Sequence, residues 1–323
     1  MYQSLMLLRA LAVLSVVVLA GCASSPTLSP ATQKLPERVE LTAVPFFAQN
    51  AYQCGPAALA TMLNQRGQIT SPGLLKDKVY IPGREGSLQV EMVAAARSHD
   101  LLVYPLKPQL DTLLTEVAAG NPVLVLQNLG FDWYPQWHFA VVVGFDLREK
   151  HIILRSGTTR RLITDFAGFD QSWAKAERWA VVTMPVNKVP ATAEAHAWIK
   201  AANELEQTDR AQSAATAYRT ATQHWPDEPL AWFALANSRY AAGDKHGAET
   251  ALRNSIKHDP AFAEGWFNLS QVLAEQNCAP AAEQAAACAR QLAPTDKRFM
   301  AKPATSVSAK PAQCAALPAC PAH

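Results

Sequence analysis

Gln49-Asn50-Ala51-Tyr52-Gln53-Cys54-Gly55-Pro56-Ala57-Ala58-Leu59 sets a cysteine at the head of an Ala/Leu-rich helix that runs to about Asn64. Pro56 suits the first helical turn, where its missing N–H costs no hydrogen bond, and the positive end of the helix dipole favours an anion there. Thiolate is the nucleophilic form of cysteine. Attack on an amide carbonyl develops an oxyanion, and the N–H of Cys54 with the side-chain amide of Gln49 can supply two donors for it.

Such a nucleophile needs a base, and three histidines lie in the same domain. His99 ends a helix in Arg97-Ser98-His99-Asp100, and His151 stands at a turn beside Glu149 and Lys150, both settings of surface residues. His138 instead opens the apolar run His138-Phe139-Ala140-Val141-Val142-Val143, directly after Phe131-Asp132-Trp133-Tyr134-Pro135-Gln136-Trp137. That aromatic loop is expected either to wall a substrate cleft or to cover the core. Around it the pattern predicts strands at Val44–Phe47, Leu101–Pro105, Pro122–Leu126, 138–143, His151–Leu154 and Trp179–Thr183, with helices at Leu88–Arg97 and Gln109–Ala118. Helices first and consecutive strands afterwards predict an α+β domain with an antiparallel sheet.

These residues resemble the papain-like cysteine peptidases of the bacteriocin-processing, double-glycine-leader type. Gln49 with Cys54-Gly55-Pro56-Ala57-Ala58-Leu59, then Gly120-Asn121-Pro122-Val123-Leu124-Val125 and His138 to Asp146, carry the resemblance. It implies Cys54 as nucleophile, His138 as general base and then acid, and Gln49 as oxyanion donor. The family places an Asp on the strand after the His strand, where this chain reads Leu154-Arg155-Ser156-Gly157. A hairpin turning near Arg148-Glu149 brings Ser156 to Thr159 beside His138, whereas Asp146 lies about 26 Å along the strand at roughly 3.3 Å per residue. Ser156 is therefore the candidate orienting group. Three activities are compatible with this set: a cysteine peptidase, a catalytically weak peptidase-like scaffold, and an amidase or acyltransferase using the same thioester.

Outward from this domain, the C-terminal third repeats with period 34. Trp198, Trp232 and Trp266 recur at that spacing, as do Ala214, Ala248 and Ala282, and Pro226, Pro260 and Pro294. The pattern resembles the tetratricopeptide repeat, implying paired antiparallel helices whose concave face binds a peptide or protein. Packing of this module on the first domain is the plainer role. Pro185 to Thr192 carries two prolines and no periodicity, so the domain boundary falls there.

At the N-terminus, Arg9 precedes an apolar run of signal-peptide length that ends in Leu19-Ala20-Gly21-Cys22. This resembles the bacterial lipobox, in which the cysteine is acylated; the absence of Asp after Cys22 points to an outer membrane facing the periplasm. The expected organisation is a signal peptide at 1–21, a flexible tether at 22–39, the peptidase domain at 40–185, a linker at 186–194, three repeats at 195–296 and a loosely ordered tail at 297–323. In an oxidising compartment Cys278, Cys288, Cys314 and Cys320 can form two disulfides in any of three pairings, with Cys278–Cys288 clamping the third repeat and Cys314–Cys320 stapling the tail as the local choices. Cys54 is left unpaired.

With 323 residues, 29 Lys+Arg against 27 Asp+Glu and 17% charged residues, the chain is too neutral for a nucleic-acid groove and ample for two domains. A mean hydropathy of -0.04 with one long apolar run argues against several membrane spans. No Gly-x-x-x-x-Gly-Lys-Ser/Thr loop occurs and the chain carries its own export signal, so its substrates are not expected to be leader peptides awaiting cytosolic export. No HExxH or CxxC pattern occurs, so neither a metal nor a cofactor is expected.

Overall fold

The computed structural model describes residues 26–48, 53–84, 86–301 and 314–322. Residues 1–25, with the apolar run and Cys22, and Gln49 lie outside them. In chain order the first domain runs β1 (Arg38–Glu40), α1 (Cys54–Gln65), α2 (Pro72–Val79), α3 (Gln89–Arg97), β2 (Leu101–Pro105), α4 (Leu110–Ala118), β3 (Val123–Asn128), β4 (Trp137–Asp146), β5 (His151–Ser156), β6 (Thr159–Asp165), α5 (Phe166–Ala174) and β7 (Ala180–Pro185). The strands form one antiparallel sheet in the order β2-β7-β3-β4-β5-β6, with β1 paired to β4.

Helices cover both faces of the centre of this sheet, so β3 and β7 are continuous apolar runs rather than alternating ones. On one face, Leu59, Met62 and Leu63 of α1 pack with Val103, Leu124, Phe139, Val141 and Val143. On the other, Leu110, Leu113 and Val117 of α4 with Phe166, Phe169 and Trp173 of α5 pack with Leu102, Tyr104, Val125, Ala140 and Val142. A bulge between Val142 and Gly144 shifts the β4–β5 register, and Phe145 joins the face of Ala140 and Val142 despite its odd number. Gly144 is required where β1 crosses, because a Cβ there would stand 2.5 Å from the Val39 carbonyl oxygen.

Four elements differ from the sequence expectation, one of them helix α5, for which no helix was expected. The strand expected at Val44–Phe47 is irregular chain, since Pro45 has no N–H to donate; the pairing strand is the three-residue β1 upstream. Helix α2 starts at Pro72 after Ser71, whose side chain accepts from Leu74 N. Strand β6, Thr-Arg-Arg-Leu-Ile-Thr-Asp, is an exposed edge whose polar residues hid it from an apolar pattern. The expected tether also ends early. Ser29 N and Thr32 Oγ1 donate to Asp111 at 2.7 and 2.6 Å, and Thr32 is buried.

The C-terminal region is six helices, α6 (Ala195–Glu206), α7 (Ala211–His224), α8 (Pro229–Ala241), α9 (Lys245–His258), α10 (Ala263–Glu275) and α11 (Ala279–Leu292). The second and third tryptophans of the 34-residue column share one bonding pattern, which Trp198 does not follow, its Nε1 donating to Ala217 O at 2.9 Å: Trp232 Nε1 donates to Pro226 O at 2.7 Å and Trp266 Nε1 to Pro260 O at 2.8 Å. Each of these two later indoles thus ties its helix to the proline that ends the preceding unit. Ala214, Ala248 and Ala282 are buried where facing helices leave no room for a larger side chain.

Neither local disulfide forms. Cys278 pairs with Cys314 and Cys288 with Cys320. Cys278 caps the N-terminus of α11 and Cys288 lies ten residues along it, about 15 Å at 1.5 Å per residue, too far to bridge. The two bonds fasten residues 314–322 onto the repeats, where Arg253 also donates to Ala315 O and Ala316 O at 2.9 Å. This part of the tail is therefore docked, and Phe299 of the 3-10 turn Lys297–Met300 is buried as well.

One apolar cluster runs unbroken from Leu102 and Trp173 through Trp198 to Trp266 and Phe299, so the repeats share a core with the first domain. The linker is pinned as well. Glu116, fully buried, accepts from Thr192 N and Thr192 Oγ1, each at 2.6 Å, and from Asn121 Nδ2 at 2.7 Å. Arg66, capping the C-terminus of α1, donates to Asn121 Oδ1 at 3.0 Å and to Thr183 O at 2.7 Å, which ties the cysteine helix into the same network. Ala191 N donates to Glu116 as well, at 3.3 Å, so Glu116→Ala leaves four buried or part-buried donors unpaired and is expected to lower unfolding stability by about 3 kcal/mol. Urea denaturation followed separately in each domain checks this; the parent unfolds in a single transition, since one apolar cluster is common to both halves.

Candidate active site

Helix α1 begins at Cys54 and is held by burial of every residue from Gly55 to Leu63. Gly55 permits a close approach: a Cβ there would stand 2.2 Å from Ser87 Oγ and 2.5 Å from Ser87 Cβ. Ser87 thus packs on the backbone beside Cys54, and its buried hydroxyl has no hydrogen-bond partner. Gly55→Ala is expected to displace the head of α1 and cost about 2 kcal/mol. Adding Ser87→Gly, which removes the obstructing atoms, recovers most of that loss in a thermal melt.

A cleft of about 1210 Å³ opens at the end of the sheet where β2 and β3 finish and β4 and β7 begin. Cys54 and His138 both line it, together with Ser87, Pro105, Tyr134, Trp137 and Trp179. Tyr134 to Trp137 of the aromatic loop wall the cleft, while Phe131 and Trp133 are exposed outside it and do not cover the core. Asn128 Oδ1 accepts from Gly130 N and Gln136 N, each at 2.9 Å, while Lys175 Nζ donates to Gly130 O at 2.8 Å. The wall after α5 was not legible in the sequence; it holds Glu177 and Arg178 at φ 54 and 51, two left-handed non-glycine residues in succession.

His138 Nε2 lies 2.8 Å from Ser156 Oγ. The pair forms because Val141 faces Arg155, which puts Ser156 opposite Ala140 and on the same sheet face as His138, one diagonal step away. Burial holds the His138 imidazole below its ordinary 6.5, with no carboxylate to oppose the effect. No hydrogen bond joins Cys54 to this ring; the two face one cleft as separate groups, an arrangement that tightens in many enzymes only when substrate binds. Among the described residues Cys54 is the cysteine outside the disulfides. Of the residues expected to act, Cys54 and His138 share the cleft wall, Ser156 contacts His138, and Gln49 and Cys22 lie outside the described residues.

Residues 41–181 match the Peptidase_C39 like family. Residues 195–238 and 233–297 each match a tetratricopeptide repeat model. Residues 41–181 therefore resemble a C39-like peptidase domain, and the helices after it resemble tetratricopeptide repeats. Among solved structures, a C39-like protein from Bacillus anthracis is 17% identical over 48% of this chain and 100% of its own, with a TM-score of 0.40. A double glycine motif protease from an AMS/PCAT transporter, in complex with its leader peptide, is 19% identical over 44% and 91%, with a TM-score of 0.33. Xylellain, a cysteine protease from Xylella fastidiosa, is 13% identical over 50% and 90%, with a TM-score of 0.36. No curated protein matches the chain.

Proposed function

We propose that the chain is an exported, lipid-anchored cysteine peptidase that hydrolyses peptide bonds through a thioester on Cys54, held by Cys22 on the outer membrane and facing the periplasm. The observation that carries this reading is the His138–Ser156 contact of 2.8 Å on the wall of the cleft that Cys54 also lines. With Nε2–H donated to Ser156 Oγ, Nδ1 is the nitrogen left to take the thiol proton. Sulfur then attacks the substrate carbonyl, with the Cys54 N–H and the Gln49 amide as oxyanion donors. The Nδ1 proton passes to the leaving amine, and water, deprotonated by the same nitrogen, hydrolyses the thioester. The repeats present a concave surface for a protein substrate or partner.

A catalytically weak scaffold that binds envelope proteins is the second reading, and Ser156 in place of a carboxylate favours it. Incubating the purified chain with a peptide library and with an acyl-transferring thiol probe separates the two. Cleavage products together with an acyl adduct on Cys54 support the peptidase. No product and no adduct, with protein capture retained, supports the scaffold.

A further inference from the structure

The hairpin between β3 and β4 carries an apolar surface that continues beyond the cleft: Tyr134 and Trp137 line the cleft, whereas Leu129, Phe131 and Trp133 do not. Leu129, Phe131, Trp133, Tyr134 and Trp137 are all more than half exposed, and Trp133 reaches 81%. Phe131 and Trp133 stack on each other at 5.5 Å. The one charged residue in the loop is Asp132. The base is braced by Asn128 and Lys175, so these rings are displayed on a fixed support.

Their position relative to the chain's entry into the fold selects the occupant. Leu106 N donates to Ala180 O, Leu126 N donates to Trp179 O, and Asn128 faces Trp137, so the ends of β2 and β3 and the starts of β4 and β7 lie together at the hairpin end of the sheet. Helix α4 begins directly after Pro108 of that rim, and Asp111 in its first turn holds Ser29 and Thr32. The polypeptide thus joins the body at the end that carries the hairpin. Leu28 already packs on the core, leaving six residues back to Cys22, at most about 20 Å of extended chain.

We propose that this hairpin is a bilayer contact, seating Trp133, Phe131 and Tyr134 at the headgroup level and turning the mouth of the cleft toward the membrane surface. Trp and Tyr suit that layer because each joins an apolar ring to a polar tip. The inference rests on acylation of Cys22 as read above. It makes the substrates proteins held near the same surface.

The test uses the full chain extracted from membranes and placed in phosphatidylethanolamine/phosphatidylglycerol vesicles whose acyl chains carry bromine. Bromolipid quenching of tryptophan fluorescence is compared with the Trp133→Phe variant, which keeps an exposed ring at that position. The Trp133 signal, taken as the difference between the two, is expected to fall about two-fold or more in bromolipid. An intact mass lacking acyl groups on Cys22 overturns the anchoring reading and this inference with it. Acylated protein with equal quenching of parent and variant overturns the hairpin contact alone. A Trp133 signal that answers to added peptide and not to bromolipid overturns it in favour of a substrate surface.

Discussion

Cys54→Ala lowers peptide hydrolysis by about 10,000-fold, to the level left by substrate binding alone, and abolishes acyl labelling of the chain. Nothing else at the head of α1 replaces the sulfur: Gly55 and Pro56 shape the turn, and Ser87 packs against Gly55. His138→Ala produces a loss of similar size, and the double variant loses little more, because nucleophile and base act in one proton transfer. Stability separates this chemical loss from damage to the fold. Cys54 is half-buried in the cleft wall and unbonded, so Cys54→Ala shifts the melting temperature by only a few degrees. Labelling at the parental level in Cys54→Ala removes the thioester route altogether.

How much of this was legible in the sequence follows from where the information is local. The cysteine helix, the histidine strand and the 34-residue columns were readable because each is a run or a period set by one element's own burial. Trp232 and Pro226 announce their contact through a recurring interval. Edge strand β6 was not readable, since its residues face water and carry no pattern. The disulfide partners were not readable either, because Cys314 and Cys320 pair with Cys278 and Cys288 across 36 and 32 residues, a separation at which local spacing does not rank the pairings. The union of the two domains depends on Glu116, an acidic residue within an amphipathic helix whose buried contacts to Thr192 are more than 70 positions away. Ser156 lies between these extremes: the hairpin register indicated its neighbourhood, while the bulge after Val142 fixes which residue meets the ring.

The largest gain, as opposed to loss, is expected from Ser156→Asp. A hydroxyl accepts from Nε2–H and fixes the tautomer, but it offers no charge to the imidazolium that forms when Cys54 loses its proton. Room for a carboxylate exists, because Ser156 also borders a second cavity of about 280 Å³ that Lys175 lines. Placed there, Asp raises the His138 pKa from its burial-lowered position, moves the acid limb of kcat/KM to higher pH, and raises kcat at neutral pH by about ten-fold or more. Ser156→Ala goes the other way, lowering kcat by roughly ten-fold with KM unchanged, since the ring loses its fixed orientation and the cleft keeps its walls. Stability against pH gives an independent reading with opposite signs. In the parent, His138 titrates below 6.5 when folded, so its contribution is complete above 6.5 and is lost as pH falls toward the folded value. In Ser156→Asp the imidazolium is favoured in the fold, so its contribution is complete below 6.5 and is lost as pH rises through the raised value. If Ser156→Asp leaves both the rate profile and the urea-unfolding slope against pH unchanged, then Ser156 does not orient the base, and the contact at 2.8 Å is structural.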